Sequence, residues 1–450
     1  MKRKIIDSLS RWRKEEHGES ALLVEGARRV GKSWIVEEFA KQEYDAYLVL
    51  DFSRIDEGVK MLFNDYLYRL DEFFPRLQNI MGMKLPQKRS LIVFDEVQKF
   101  PRAREAIKAL VADGRYDYIE TGSLLSIKEN TNDILIPSEE SHLKMYPMDF
   151  EEFLWALGDN SLMDIIRECF AAKKPMGQTM HRRAMERFRE YMVVGGMPQV
   201  VAKYASSRVL ADADREKRKI LTLYRDDIAK HAKRYARRVR RIFDEIPSQL
   251  SRHEKRFMLS SLGKNAKMRS YEDAFLWLED AMIVNTCYNA TEPNVGLRLN
   301  QDSSAFKCYM GDTGLLVSHA FDIRALATEQ IHKRLLLGQI EVNEGMIAEN
   351  IVAQMLACAG HPLFFFSRYS KTIADERMEV DFLIAKSKIG RRRNISPIEV
   401  KSGKNYTLNS LNKFHAKYRM QTDTPYVIHG GDFGVKGNVT YLPIYMTQLL

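Results

Sequence analysis

The chain has 450 residues, 45% hydrophobic and 29% charged, with 70 Lys and Arg against 60 Asp and Glu for a formal net charge of +10. At ~100–200 residues per domain that length argues for two to four domains, and the composition excludes global disorder. No apolar run approaches the ~18–20 residues that span a bilayer, and the N-terminal segment MKRKIIDSLSRWRKE lacks the apolar stretch of a signal peptide, so the expected location is the cytoplasm.

The first 150 or so residues alternate short apolar runs with amphipathic stretches, the pattern of a parallel α/β sheet. Strands are expected at Ala21–Glu25, Ala46–Phe52, Ser90–Asp95, Tyr116–Thr121 and, with a more polar pattern, His142–Tyr146. Helices are expected between them, at Ser33–Gln42 and Arg102–Ala112 among others. Directly after the first strand comes Gly26-Ala27-Arg28-Arg29-Val30-Gly31-Lys32-Ser33, which fits G-x-x-x-x-G-K-[ST] at every position. Such a loop turns its backbone N–H groups around phosphate oxygens at a helix N-terminus. Lys32 is expected at the β/γ-phosphates of ATP, and the Ser33 hydroxyl on Mg²⁺. The third strand, Leu91-Ile92-Val93-Phe94-Asp95-Glu96, ends in two acids. Asp95 is placed to hold Mg²⁺ or its water and Glu96 to polarise the attacking water. Thr121-Gly122-Ser123 closes the next strand with hydroxyls, making Ser123 a candidate catalytic sensor, and Gln98 is a weaker candidate for orienting water.

From Phe150 to about Lys230 the apolar spacing is helical, as in a lid, with Gly195-Gly196-Met197-Pro198 interrupting it. Residues 215–241 carry twelve Lys and Arg against three acids, a footprint suited to phosphate backbones and so to duplex DNA. Arg225, Arg234, Arg237 and Arg238 lie in this run and are also candidates for a transition-state arginine. Three short helices follow (240–250, 256–261 and 271–280), then strands at 283–288 and 296–300 across a Thr-Glu-Pro-Asn turn, which together read as a winged helix. A separate α/β region opens near residue 345. There Asp381 and, eighteen residues later, Glu399-Val400-Lys401 fall on consecutive strands. Because side chains alternate, Glu399 and Lys401 share a face. Two carboxylates can hold Mg²⁺ through hard oxygens, and the ammonium can orient a hydrolytic water, which is the D…ExK arrangement of a PD-(D/E)xK nuclease core. Asp381, Glu399 and Lys401 are therefore candidate catalytic residues, the two acids candidate metal ligands, and Glu349 a possible addition. The same pattern also fits a nuclease-like fold used only for binding. The four cysteines, Cys169, Cys287, Cys308 and Cys358, never form CxxC and support neither a zinc site nor a disulfide framework.

GARRVGKS (26–33), LIVFDEVQK (91–99), TGS (121–123), YPMDFEEFL (146–154), VGGMP (194–198), YRDDIAK (224–230), YMGDTGLL (309–316) and EGMIAEN (344–350) together give a further reading. Nearly the whole chain resembles the prokaryotic ATPases that join an AAA-type P-loop domain to a C-terminal restriction-endonuclease-like domain of unknown function. The resemblance implies ATP binding, hydrolysis and a winged-helix segment between the two ends. The expected fold is thus an AAA/ASCE-type parallel sheet (1–155), a helical lid (156–235), a winged helix (236–330) and a PD-(D/E)xK-like α/β domain (331–450). The expected function is a Mg²⁺-dependent ATPase whose nucleotide state controls a DNA-engaging C-terminal half. The alternatives are a nucleotide-switched signalling or scaffold protein with an inert nuclease-like domain, and an active ATP-regulated nuclease.

Overall fold

Four short runs rich in Val, Ile, Leu and Tyr and one more polar run in the first third of the chain become five parallel strands. The structure is a computed structural model. It describes residues 1–122, 139–252, 255–264, 266–294, 296–321, 325–338, 344–369, 372–373, 376–385, 394–403 and 405–450. The chain divides into two compact units, residues 2–146 and residues 147–450 with Met1. Among the described residues no helix is long and apolar enough to cross a membrane.

In residues 2–146, β1 (Ala21–Gly26), β2 (Ala46–Asp51), β3 (Ser90–Asp95), β4 (Asp117–Gly122) and β5 (Glu140–Met145) pair in the order β2-β3-β4-β1-β5, every pair parallel. β1 and β4 are buried throughout because helices cover both faces of the sheet. Alternation sends Leu23, Leu48, Ile92 and Phe94 into one core, while Leu22, Val24, Leu91 and Val93 meet Ile35, Val36 and Phe39 of the helix Lys32–Glu43 in the other. β5 starts at Glu140 rather than His142; this half-exposed edge strand carries little apolar alternation to mark its ends. With every strand pointing the same way, the carboxyl ends of β1, β4 and β3 open on one edge of the sheet, where ligands of such folds bind.

Residues 147–450 join a helical region to an eight-stranded sheet. β6 (Val284–Ala290), β7 (Gln301–Met310), β8 (Phe364–Arg368), β9 (Met378–Ala385), β10 (Ile395–Lys401), β11 (Tyr426–His429), β12 (Gly434–Lys436) and β13 (Val439–Pro443) run in the order β12-β13-β11-β10-β9-β8-β6-β7. The strand bounds differ from those expected of the winged helix. Residues 297–300 form a 3-10 turn and the strand follows at 301–310. β6 and β7 do form an antiparallel hairpin, but β6 also pairs in parallel with β8, so the hairpin is the margin of the C-terminal sheet. The last six residues of β7 are all buried, which a solvent-facing wing does not require.

Several of the distinctive sequence segments interlock in this unit. Asp149 and Glu152 form a capping box on the helix Phe150–Ala156. The Met148 N–H donates to the Gly196 carbonyl (2.7 Å), and the Gly196 N–H donates to Asp312 Oδ2 (2.6 Å). Asp312 also caps the helix Thr313–Ala320 through the Leu315 N–H (2.8 Å). Asn350, on the helix Glu344–Cys358, accepts from the Met310 N–H and donates to the Thr313 hydroxyl. VGGMP, GDTG and AEN are therefore joints of the fold. A Cβ on Gly196 would stand 2.1 Å from the Met148 carbonyl oxygen. Gly196→Ala should accordingly lower the unfolding free energy by about 2–3 kcal/mol in urea titration, the cost of overpacking a rigid site.

Candidate functional site

β1 ends at Gly26, the loop passes through Arg29 at φ 70° and Gly31 at φ 98°, and the helix Lys32–Glu43 begins. Gly31 meets the left-handed turn without a side-chain penalty. Lys32 is only 8% exposed, and its ammonium donates to the carbonyls of Gly26 (2.8 Å) and Ala27 (3.2 Å), drawing the loop around itself. Burial pulls its pKa below that of an ordinary lysine, against the opposing pull of Glu96 and Asp95. Arg28 and Arg29 are exposed, while Val30 is buried and its carbonyl accepts from Arg3 (3.2 Å). Arg3 also reaches the Tyr146 carbonyl (2.7 Å) and so ties the loop to the chain just beyond β5. Nothing in the basic N-terminal sequence distinguishes Arg3 from its neighbours.

The exposed Ser33 hydroxyl donates to Asp95 Oδ1 at 2.7 Å, and Thr121 donates to the same oxygen. One residue from helix, one from β3 and one from β4 thus converge. These oxygens suit Mg²⁺, which takes few protein ligands and completes its shell with water and phosphate. Glu96 sits at φ 55°, and its side chain accepts from the buried Gln98 amide. Gln98 therefore braces Glu96 rather than presenting itself to solvent. Ser123 lies outside the described residues.

The C-terminal acids also come together, but with partners the D…ExK pattern did not reveal. Lys401 donates to Glu399 Oε1 (2.7 Å), and Asp381 Oδ2 accepts from the Val400 N–H (2.9 Å). Lys307, on β7 and 1% exposed, lies 2.8 Å from Glu379, 3.5 Å from Asp381 and 3.9 Å from Glu349. Lys255 binds Glu349, which also accepts from the Tyr309 hydroxyl (3.1 Å). Burial, helped by Asp381, pushes Glu399 up to about 8. Four acids thus face three ammonium groups, and among the described residues no group of three or more His, Cys, Asp and Glu is arranged to hold a metal ion. The two acids expected to hold Mg²⁺ each have a lysine beside them, Lys307 3.5 Å from Asp381 and Lys401 2.7 Å from Glu399. Lys255 and Lys307 lie more than seventy residues before the ExK segment in the sequence, with no spacing to link them.

The basic run divides into buried or packed cations and exposed ones. Lys217 is fully buried and donates to the Val193 carbonyl (2.7 Å), and Arg218 pairs with Asp214 (2.7 Å). Arg225 lies against Asp244, His319 and the Phe243 ring, so it is packed into residues 147–450. Lys230, Lys233, Arg234, Arg237, Arg238, Arg240 and Arg241 are all exposed, with no acid between 230 and 241. Arg237 and Arg238 stand in the first turn of the helix Ala236–Leu250, where the helix dipole disfavours cations by about 0.3–1 kcal/mol each.

Comparison with known proteins finds three matching segments. Residues 18–154 match the family described as AAA domain, residues 185–326 a domain of unknown function (DUF8612) and residues 344–447 another (DUF4143). An uncharacterized protein of Haemophilus influenzae is 23% identical over 181 residues, and the match spans 40% of this chain and 40% of that relative's length. Among solved structures, a Walker-type ATPase of Pyrococcus abyssi is 15% identical with a TM-score of 0.40, covering 71% of this chain and 95% of that one. The Hef helicase domain of Pyrococcus furiosus is 10% identical with a TM-score of 0.19, covering 95% and 89%. The N-terminal segment thus combines similarity to AAA domains with a G-x-x-x-x-G-K-[ST] loop on a parallel sheet.

Proposed function

We propose that this chain is a Mg²⁺-dependent ATPase whose nucleotide state controls nucleic-acid binding by residues 147–450. The observation that carries the ATPase reading is the convergence of the Lys32 ammonium with the Ser33–Asp95 pair at 2.7 Å. Bound Mg²⁺ would supply charge neutralisation at the phosphates. Lys32 orients the phosphates, Ser33 and Asp95 position the ion, and Glu96 takes a proton from the attacking water. Glu96→Gln should keep ATP binding and slow hydrolysis about 10²–10⁴-fold, since it removes the general base alone. Turnover at the parent rate would remove Glu96 from that role.

The nucleic-acid part rests on the seven exposed cations of 230–241 and on the two arginines set against the helix dipole, an arrangement that favours an anionic partner over helix stability. Steady-state ATP hydrolysis with and without duplex DNA at low salt tests it. DNA is expected to stimulate turnover, with affinity falling steeply as salt rises. A second reading, a nucleotide-switched scaffold, is favoured by the lysine-filled acid cluster. It predicts hydrolysis indifferent to DNA.

A further inference from the structure

Residues 147–450 hold a cleft that the proposed ATPase chemistry does not use. Its volume is about 780 Å³, within the ~300–1,000 Å³ of small-molecule sites. It opens where the parallel strands β10 and β11 end, at Lys401 and His429, the edge at which α/β sheets gather ligands.

Its lining is of two kinds. Met185, Met192, Ile347 and Tyr406 contribute apolar surface to the lining. Arg189 brings a guanidinium and Lys401 an ammonium that also holds Glu399 Oε1 at 2.7 Å, while the Ser402-Gly403 and Gly430-Gly431 segments bring backbone. Nothing lies within 4 Å of where a Cβ would stand on Gly403 or Gly430, so these turns leave main chain open to a ligand. The first turn of the fifteen-residue helix Glu344–Cys358 also faces the cleft, adding the positive end of its dipole. Arg189 crosses Gly338, whose absent Cβ would stand 3.1 Å from the guanidinium. Among the described residues no carboxylate forms an ion pair with it; the nearby Glu344 is pushed towards its neutral form by burial, against the pull of Arg189. A half-buried guanidinium aimed into a cavity is a planar donor fork suited to phosphate.

We propose that this cleft binds a nucleotide unit without a metal ion, its phosphate on Arg189 and Lys401 and its base and sugar against Tyr406 and the methionines. The choice of a nucleotide rests on the nucleic-acid reading above; the phosphate site itself rests on the cleft. The unit can arrive as a free nucleotide or as the end of a strand.

The test uses the full chain carrying Lys32→Ala, which removes the P-loop as a competing site, in the presence of EDTA. AMP and a short 5′-phosphorylated oligothymidylate are titrated by calorimetry. Saturable binding is expected, weakened about tenfold or more by Arg189→Gln, the effect of losing a charge-assisted contact. Lys401→Met, on a different element, should weaken it likewise and guards against misfolding of the first variant. Tighter binding of the oligonucleotide than of AMP would assign the site to strand ends, and equal binding to free nucleotides. Absence of saturable binding by either probe, or affinities unchanged in both variants, would overturn the proposal. Duplex binding through Arg237 and Arg241, measured separately with Arg237→Glu and Arg241→Glu, fails or survives independently of this outcome.

Discussion

Lys32→Ala should reduce ATP affinity by about a hundredfold or more, removing measurable binding at micromolar nucleotide. The side chain is buried beside the loop it serves, with its ammonium on the Gly26 and Ala27 carbonyls. Its charge is already taken out of water, so phosphate oxygens meet a cation that has paid its desolvation in folding and not in binding. Alanine removes that cation and also releases two carbonyls that would then point towards an anion. Both changes act in the same direction. The helix Lys32–Glu43 keeps its apolar contacts through Ile35, Val36 and Phe39, so the variant should remain folded and its thermal transition should stay near that of the parent. Fluorescent-nucleotide titration checks the affinity, and a loss smaller than about threefold would take Lys32 out of the phosphate site.

The N-terminal sheet was legible because each of its signals is local. ALLVE, AYLVLD and SLIVFD are strand runs flanked by helical spacing, and the glycine-lysine-serine turn sits between one such run and a helix. Asp95 and Ser33 are 62 residues apart, yet both lie next to a strand end, and parallel pairing brings strand ends to one edge. Local pattern plus one topological rule was enough. The C-terminal unit obeys a different logic. The hairpin 284–310 looks like a wing because its own strands pair with each other; its second pairing, Tyr288 with Phe364, joins segments more than seventy residues apart. Lys307 reads in sequence as an ordinary strand lysine, and only the closed sheet shows it among Glu349, Glu379 and Asp381. Arg3 and Arg189 were missed for the same reason: each is defined by what it reaches across the fold.

Lys307→Met should lower the unfolding free energy by about 3–5 kcal/mol near neutral pH, among the largest effects of any single change in residues 147–450. Methionine keeps all but the last atom of the side chain, so little volume is lost, although the ammonium's contact with the Phe365 ring goes with the charge. What is lost is the cation that holds three buried or half-buried carboxylates together. Burial alone would depress the Lys307 pKa, but Glu349, Glu379 and Asp381 outweigh it and raise it, so the ammonium remains charged throughout the physiological range. Its stabilisation is therefore present at neutral pH and is lost only as pH rises through its elevated folded value. Glu399 supplies the contrasting slope. With a folded value of about 8 against 4.5 unperturbed, the native state binds more protons than the unfolded one between those limits, so this group makes stability fall as pH rises from 4.5 towards 8. In the Lys307→Met chain the acids left without their cation should take up protons more readily. The deficit relative to the parent should then shrink as pH falls from about 8 to about 5 in urea titrations, because protonation removes the repulsion that the lysine had cancelled. Glu399→Gln, which fixes the neutral form, should flatten the parent's slope over the same window while leaving Lys307 in place. A Lys307→Met deficit below about 1 kcal/mol at the upper pH, or one that grows on acidification, would mean that the four acids are held by other means and that the cluster remains open to a divalent cation.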